Sequence, residues 1–229
     1  MSLSPIAMPG THEQFLAFLE KTEGKEGQGQ KVLDIGAGHG AFSQQLHRMG
    51  YEVSACDLMP DLFQFEEIEC KRVDVTQEFP YPDGHFDMLI AIEVMEHFNG
   101  QDHFFREACR ILKKGGRLFI TTPNILSLKS RMRFLLGGFY YSFGPLDHSL
   151  HDGMQHVSAL TFDQFNYWAT KNGFGPAKLD TDKLQKSSRW LSFLIPFQWL
   201  YLKWKGVKPL HNQRKLLYGR ILFLTFRKK

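Results

Sequence analysis

The chain has 229 residues, 43% of them hydrophobic, enough to bury a full core as one domain over residues 1–229. No apolar run reaches the about 18 residues that cross a bilayer, and no cationic start precedes a long apolar stretch, so neither a spanning nor a secreted protein is expected; the location read is cytoplasmic. The net charge of +4 hides an asymmetry: Lys183–Lys229 holds twelve Lys/Arg and no Asp or Glu, against sixteen basic and twenty-four acidic residues elsewhere.

Taken in chain order, Thr11 to Gln14 has the pattern of a capping box opening the helix "THEQFLAFLEK". "GKEGQGQ" is a turn-rich link, "KVLDI" a buried strand, "GAFSQQLHRMG" a helix closed by Gly50, and "YEVSAC" a second strand. A short third strand precedes Asp74, "FDMLIAI" is a fourth, and the helix "QDHFFREACRIL" is ended by "KKGG". "RLFITT" is a fifth strand stopped by Pro123, "TFDQFNYWATKNGF" a helix with Thr161 as N-cap, and "GRILFLTFRK" an added edge strand. Buried strands alternating with helices predict an α/β protein with a parallel sheet covered on both faces. Cys56, Cys70 and Cys109 are an odd number and read as reduced thiols.

"VLDIGAGHG" places Gly36, Gly38 and Gly40 between the first strand and its helix. Glycines permit the sharp turn and let a ligand lie against the backbone near the helix start. Asp57 ends the second strand, 21 residues after Gly36, where a carboxylate accepts hydrogen bonds from a ribose diol. With Ala41 the loop also satisfies the relaxed G-x-G-x-x-A form of a dinucleotide fingerprint, so an NAD-dependent oxidoreductase is the runner-up, with no obvious Tyr/Lys or Ser/Tyr catalytic pair after strand four.

"VLDIGAGHG", the acid of "ACD", "VDV" at 73–75, "FPYPDGHFDMLIAIEVMEH" and "LKKGGRLFITTPN" follow one another over about residues 30–125. Together they resemble the class I S-adenosylmethionine-dependent methyltransferases. The resemblance implies a Rossmann-like, seven-stranded, mostly parallel sheet with a reversed last strand and helices on both faces. It implies that Asp34, Gly36, Gly38 and Gly40 frame the methionine moiety and that Asp57 holds the ribose. Leu58 or Met59 would flank the adenine, Asp74 with Val75 beside it would reach the adenine amine, and Glu93 would lie beside the cofactor. The cofactor has hydroxyls, an amine and a sulfonium but no phosphate, which suits acids at strand ends.

"IEVMEHF" (92–98) then sets Glu93, Glu96 and His97 at the end of strand four, where one helical turn would bring all three near one face. Two carboxylates and an imidazole suit a divalent cation, Mg, Mn, Fe or Zn, with open positions for water or substrate. The E-x-x-E-H pattern, with His156 five residues before Thr161, resembles the small-RNA 2′-O-methyltransferases, which implies a metal on Glu93, Glu96, His97 and His156. The same layout resembles the ubiquinone-pathway O-methyltransferases, with "LSLKSRMRFLLGGFYYSFG" as a membrane-seeking insert. Many methyltransferases carry E-V-x-E-H without metal, and then His97 lines the pocket. His97, His151 and His148 are the candidate bases.

The tail "SSRWLSFLIPFQWLYLKWKGVKPLHNQRK" interleaves three tryptophans with Lys and Arg, and Pro196 is expected to break it. Inserts at about 124–160 and 187–213 read as a substrate- or membrane-facing cap with peripheral membrane contact. RNA fits the charge too, but so much aliphatic surface favours lipid. The expected activity is O-methylation of an amphipathic small molecule, lipid or lipid-linked glycan. RNA 2′-O-methylation and a non-catalytic, cofactor-binding membrane-associated protein remain as alternatives.

Overall fold

A computed structural model describes residues 3, 4 and 6–229. Helix α1 (Thr11–Glu23) precedes strand β1 (Lys31–Ile35), helix α2 (Ala41–Arg48), β2 (Glu52–Asp57), β3 (Cys70–Arg72) and β4 (Phe86–Ile92). Helix α3 (Gln101–Ile111), β5 (Leu112–Pro123), α4 (Leu128–Gly137), α5 (Phe162–Lys171) and β6 (Lys178–Thr181) follow. Helices α6 (Lys186–Trp190), α7 (Ile195–Trp204) and α8 (Arg214–Tyr218) lead to β7 (Ile221–Arg227). The seven strands form one sheet in the order β3-β2-β1-β4-β5-β7-β6. The β1–β2, β1–β4, β2–β3 and β4–β5 pairs are parallel, and β7 runs antiparallel to both β5 and β6.

Alternation along each strand divides the core between the two faces of the sheet. Val32, Met88, Ile90, Phe119 and Phe223 pack with Phe15 and Leu19 of α1 and Phe42 and Leu46 of α2. Leu33, Leu89, Ala91, Leu118, Ile120 and Leu224 pack with Phe104, Phe105 and Ala108 of α3 and Phe165 and Ala169 of α5. The i, i+4 spacing of Phe15 and Leu19, and of Phe42 and Leu46, puts each pair on one stripe of its helix.

Four local expectations are corrected. Thr11 is not an N-cap: the chain enters α1 through a turn in which the Thr11 amide donates to the Met8 carbonyl at 3.0 Å. Gly10 caps at φ 82°, and Thr11 is buried inside the first turn. "KKGG" does not close α3, which ends at Ile111; the β5 backbone begins at once, and its pairing with β4 jumps from Phe86↔Leu112 to Met88↔Arg117 across the inserted residues. "GRILFLTFRK" is not an edge. It pairs with β5 on one side and β6 on the other, helices cover both of its faces so that Ile221–Phe226 are buried, and β6 takes the edge. Pro196 does not break the tail helix but stands in the first turn of α7, where its missing N–H is harmless. Thr161 does cap α5, in a reciprocal capping box with Gln164.

Among the described residues no helix is long and apolar enough to cross a membrane. The three cysteines are free thiols.

Candidate active site

Strand order reverses between β2 and β4 about β1, and a crevice opens where parallel strands diverge in this way. A cavity of about 570 Å³ lies there, lined by the turns that follow β1, β2, β3 and β4. The glycine turn forms one wall. Gly36 sits at φ 70°, and a Cβ on it would come 2.5 Å from Val94 Cγ2, so only glycine lets the β1 and β4 turns approach this closely. The amides of Gly36 and Ala37 donate to the Cys56 carbonyl at 2.8 and 3.2 Å, tying the turn to β2. Gly38 also lines the cavity. Gly40 does not: it packs against the Phe63 ring and is the N-cap of α2.

Asp34 is 2% exposed and its Oδ2 accepts from Ser43 Oγ at 2.6 Å. Burial pushes its carboxyl up to about 7, with the Ser43 hydrogen bond pulling the other way. Asp57 clamps two turns at once: Oδ2 accepts from the Gly38 amide and Oδ1 from the Met59 amide, both at 2.8 Å. Leu58, Met59, Val73, Asp74 and Val75 continue the lining. Asp74 Oδ1 accepts from the Thr76 amide at 2.8 Å, which turns the chain away from β3.

Past β4 the chain does not form the expected helical turn. Glu93 adopts φ 53°, and its amide donates to the Thr121 carbonyl at 3.1 Å, holding it to β5. Its Oε2 instead accepts from the Met8 amide at 2.7 Å, and Oε1 is buried without a partner. Glu93 is thus separated from the cluster it was expected to join. The described residues bring together Glu96, His97 and His156, whose ligand atoms lie within 4.8 Å of one another. Glu96 is buried, with Oε2 accepting from Thr122 Oγ1 at 3.1 Å, and burial pushes its carboxyl up to about 8. Its carbonyl accepts from the Val157 and Ser158 amides at 2.8 and 2.9 Å, which docks the segment carrying His156. The His97 and His156 rings meet edge to face with centroids 4.7 Å apart. Burial lowers both imidazoles below the usual range, and His156 depresses His97 further.

His148 and His151 stay exposed and outside the cavity lining. Asp147 Oδ1 accepts from Ser149 and its amide donates to Gln155, bonds that curl this loop outward. Sequence reasoning missed the strap Ile6–Pro9, His12, Ser142 and Met154, all of which line the cavity. His12 stacks edge-on against Phe42 at 5.4 Å, and burial lowers it to about 4. No local pattern marks these residues; Met8 and Glu93 are 85 positions apart.

The sheet order, the glycine turn at its switch point and acids at the ends of β1, β2 and β3 define a class I cofactor-binding methyltransferase fold. Residues 10–178 match the methyltransferase domain family, and the chain belongs to it, among the S-adenosylmethionine-dependent methyltransferases. It is 33% identical over 98 residues to a demethylmenaquinone methyltransferase of Tropheryma whipplei, covering 40% of this chain and 41% of that one. It is 31% identical over 105 residues to a ubiquinone biosynthesis O-methyltransferase of Xanthomonas oryzae, covering 42% and 44%. The matched stretch therefore spans less than half the length of either relative. The fold is similar to that of a SAM-dependent methyltransferase from Archaeoglobus fulgidus, with TM-score 0.61, 17% identity and coverage of 96% and 95%.

Proposed function

We propose that this protein transfers the methyl group of S-adenosylmethionine to a hydroxyl oxygen of an amphipathic small molecule. The observation that carries this reading is one continuous cavity running from the glycine turn and Asp57 to His97 and His156. The residues fit the cofactor: the Cβ-less Gly36 keeps the backbone open, Asp57 retains acceptor capacity, and Glu93, which lines the cavity, has a buried Oε1 with no partner in the protein. Bound cofactor supplies an electrophilic methyl on a sulfonium. The names of the two relatives, one a demethylmenaquinone and one a ubiquinone-pathway enzyme, support an acceptor of the ring-bearing, membrane-soluble kind.

In this reading Asp34, Gly36, Gly38, Asp57, Leu58, Met59, Asp74 and Val75 hold the cofactor, and the segment from 124 to 160 closes the acceptor end through Ser142, Met154 and His156. The reaction breaks the sulfonium–methyl bond and forms a methyl–oxygen bond; the sulfur keeps the electron pair and the acceptor hydroxyl loses its proton. His97 and His156, kept neutral by burial, are the groups placed to take that proton. Alignment of acceptor and methyl within the cavity supplies much of the acceleration.

The cluster also fits a divalent cation, since Glu96 Oε1 and His156 Nδ1 are buried without partners. A cation on Glu96, His97 and His156 would lower the acceptor hydroxyl pKa. The test is formation of S-adenosylhomocysteine with a panel of phenolic acceptors. Glu96→Ala and EDTA should each cut turnover about 100-fold or more while leaving cofactor affinity unchanged, the scale of losing a metal's charge stabilisation. Turnover that survives both treatments removes the cation and leaves the imidazoles as the base. A panel with no turnover but tight cofactor binding supports a non-catalytic protein.

Residues 187–213 lie away from the cavity lining. We place this segment against a membrane, on the strength of its exposed Trp190, Phe193, Phe197, Trp199 and Trp204.

A further inference from the structure

Between α6 and α8 lies a second cleft, of about 660 Å³, lined by Leu184, Lys186, Arg189, Trp190, Ser192, Arg214 and Tyr218. Three cations meet there with two hydroxyls, and Ser192 Oγ lies 3.0 Å from Tyr218 OH. The ion pairs of the neighbouring residues, Lys215 with Asp180 and Arg220 with Asp182, leave this cleft alone. Among the described residues Lys186, Arg189 and Arg214 form no ion pair, and Lys183–Lys229 contains no acid to supply one. Like charges gathered without a counter-charge repel one another, so such a cleft is more stable with an anion in it. Ser192 Oγ donates to the Arg189 carbonyl at 2.6 Å and accepts from Tyr218, so the hydroxyls brace the wall, while two guanidiniums and an ammonium are the donors left to match a tetrahedral phosphate.

The surroundings identify the source of that phosphate. Trp190, on the cleft wall, is 83% exposed, and α7, which follows a 3-10 turn at Leu191–Leu194, buries none of its ten residues although Phe197, Trp199, Leu200, Tyr201 and Trp204 are apolar or aromatic. Lys203 stands over the Trp199 ring at 5.1 Å and Lys205 over Trp204 at 4.2 Å. Aromatics that are wet at one edge, bordered by lysines and free of carboxylates, suit the headgroup level of a bilayer. A second copy of the chain would present the same one-signed surface in an isologous contact and be repelled. Free phosphate or a nucleotide would account for the cations but not for the bare aromatic helix beside them.

We infer that the cleft of Lys186, Arg189 and Arg214 binds the headgroup phosphate of an anionic phospholipid while α7 lies in the bilayer interface. The inference rests on the membrane placement above and is independent of the methyl-transfer chemistry. Bound in this way, the protein would be held at the surface from which a membrane-soluble acceptor must enter.

The test is flotation of the full chain with phosphatidylcholine vesicles and with vesicles that also contain phosphatidylglycerol. Wild type should prefer the anionic vesicles, and the preference should weaken as salt shortens the screening length to about 8 Å. The double variant Arg189→Gln/Arg214→Gln should lose about thirtyfold in partitioning to anionic vesicles, the scale expected for two cations at a charged surface, with phosphatidylcholine binding and cofactor affinity unchanged. Phe197→Ser/Trp204→Ser should lose binding to both vesicle types. An Arg189→Gln/Arg214→Gln protein that keeps the full anionic preference overturns the cleft and leaves the membrane placement standing. Wild type that ignores both vesicles, or that binds single-stranded RNA tightly in their place, overturns both. None of these outcomes depends on turnover, so a failure of the methyl-transfer reading shows separately.

Discussion

Asp34 illustrates how one buried carboxyl couples binding to pH. Its acid is held up to about 7 by burial, so the free protein carries a proton there between the ordinary carboxylate value of 3.8 and about 7. In the proposed reading Asp34 meets the ammonium of the cofactor's methionine end, which needs the ionised form. Cofactor affinity should therefore rise with pH up to about 7 and level off above it, with proton release on binding below that point. Calorimetry in buffers of different ionisation enthalpy measures both, and Asp34→Asn should flatten the profile. Stability runs the other way: ionising a buried acid is unfavourable, so the fold loses stability as pH climbs from the ordinary carboxylate range to about 7. Asp57 acts differently. It serves the Gly38 and Met59 amides, and in the proposed reading the cofactor as well, so Asp57→Ala should weaken cofactor binding by about 1.5–3 kcal/mol, roughly 10- to 150-fold in Kd. Unchanged affinity by calorimetry would remove Asp57 from the site.

At the scale of elements, α3 does more than cover a sheet face. Arg110 donates to the Phe79 and Tyr81 carbonyls and to Asp83, all at 2.8 Å, and at 2.7 Å to Glu107, which itself accepts from the Phe79 amide. This network fixes the 79–83 loop before β4, and Arg110 holds the Glu107 carboxyl below its usual range. Arg110→Ala would leave Glu107 buried without a counter-charge and two carbonyls unserved, costing about 2–3 kcal/mol. A lowered denaturation midpoint at unchanged slope is the expected result. The turn after β4 shows the opposite balance. Local spacing favoured a helix through Glu93, Glu96 and His97, but the Glu93 amide pairs with β5 and its backbone takes φ 53°. That arrangement turns Glu93 towards the Met8 strap and leaves Glu96 and His97 to meet His156.

In the whole molecule the last strand is the keystone of the sheet. Strand β7 pairs with β5 over seven residues and with β6 over four, and its side chains enter both cores. Truncation before Ile221 would strip two strands of their partner and expose both faces, so the product should show no cooperative melting or near-ultraviolet circular dichroism. A truncated protein that melts like the full chain would contradict this. The alternation of strands and helices, the glycine turn, the Asp57 position and the Thr161 cap were all readable in sequence, because each depends on periodicity or turn chemistry within a few residues. Tertiary structure alone decided the interior place of β7, the separation of Glu93 from the histidine cluster, the exposure of His148 and His151, and the entry of Met8 and His12 into the cavity. Those outcomes depend on contacts between residues tens of positions apart, such as Met8 with Glu93 and Glu96 with Val157, and packing rather than local spacing selects them.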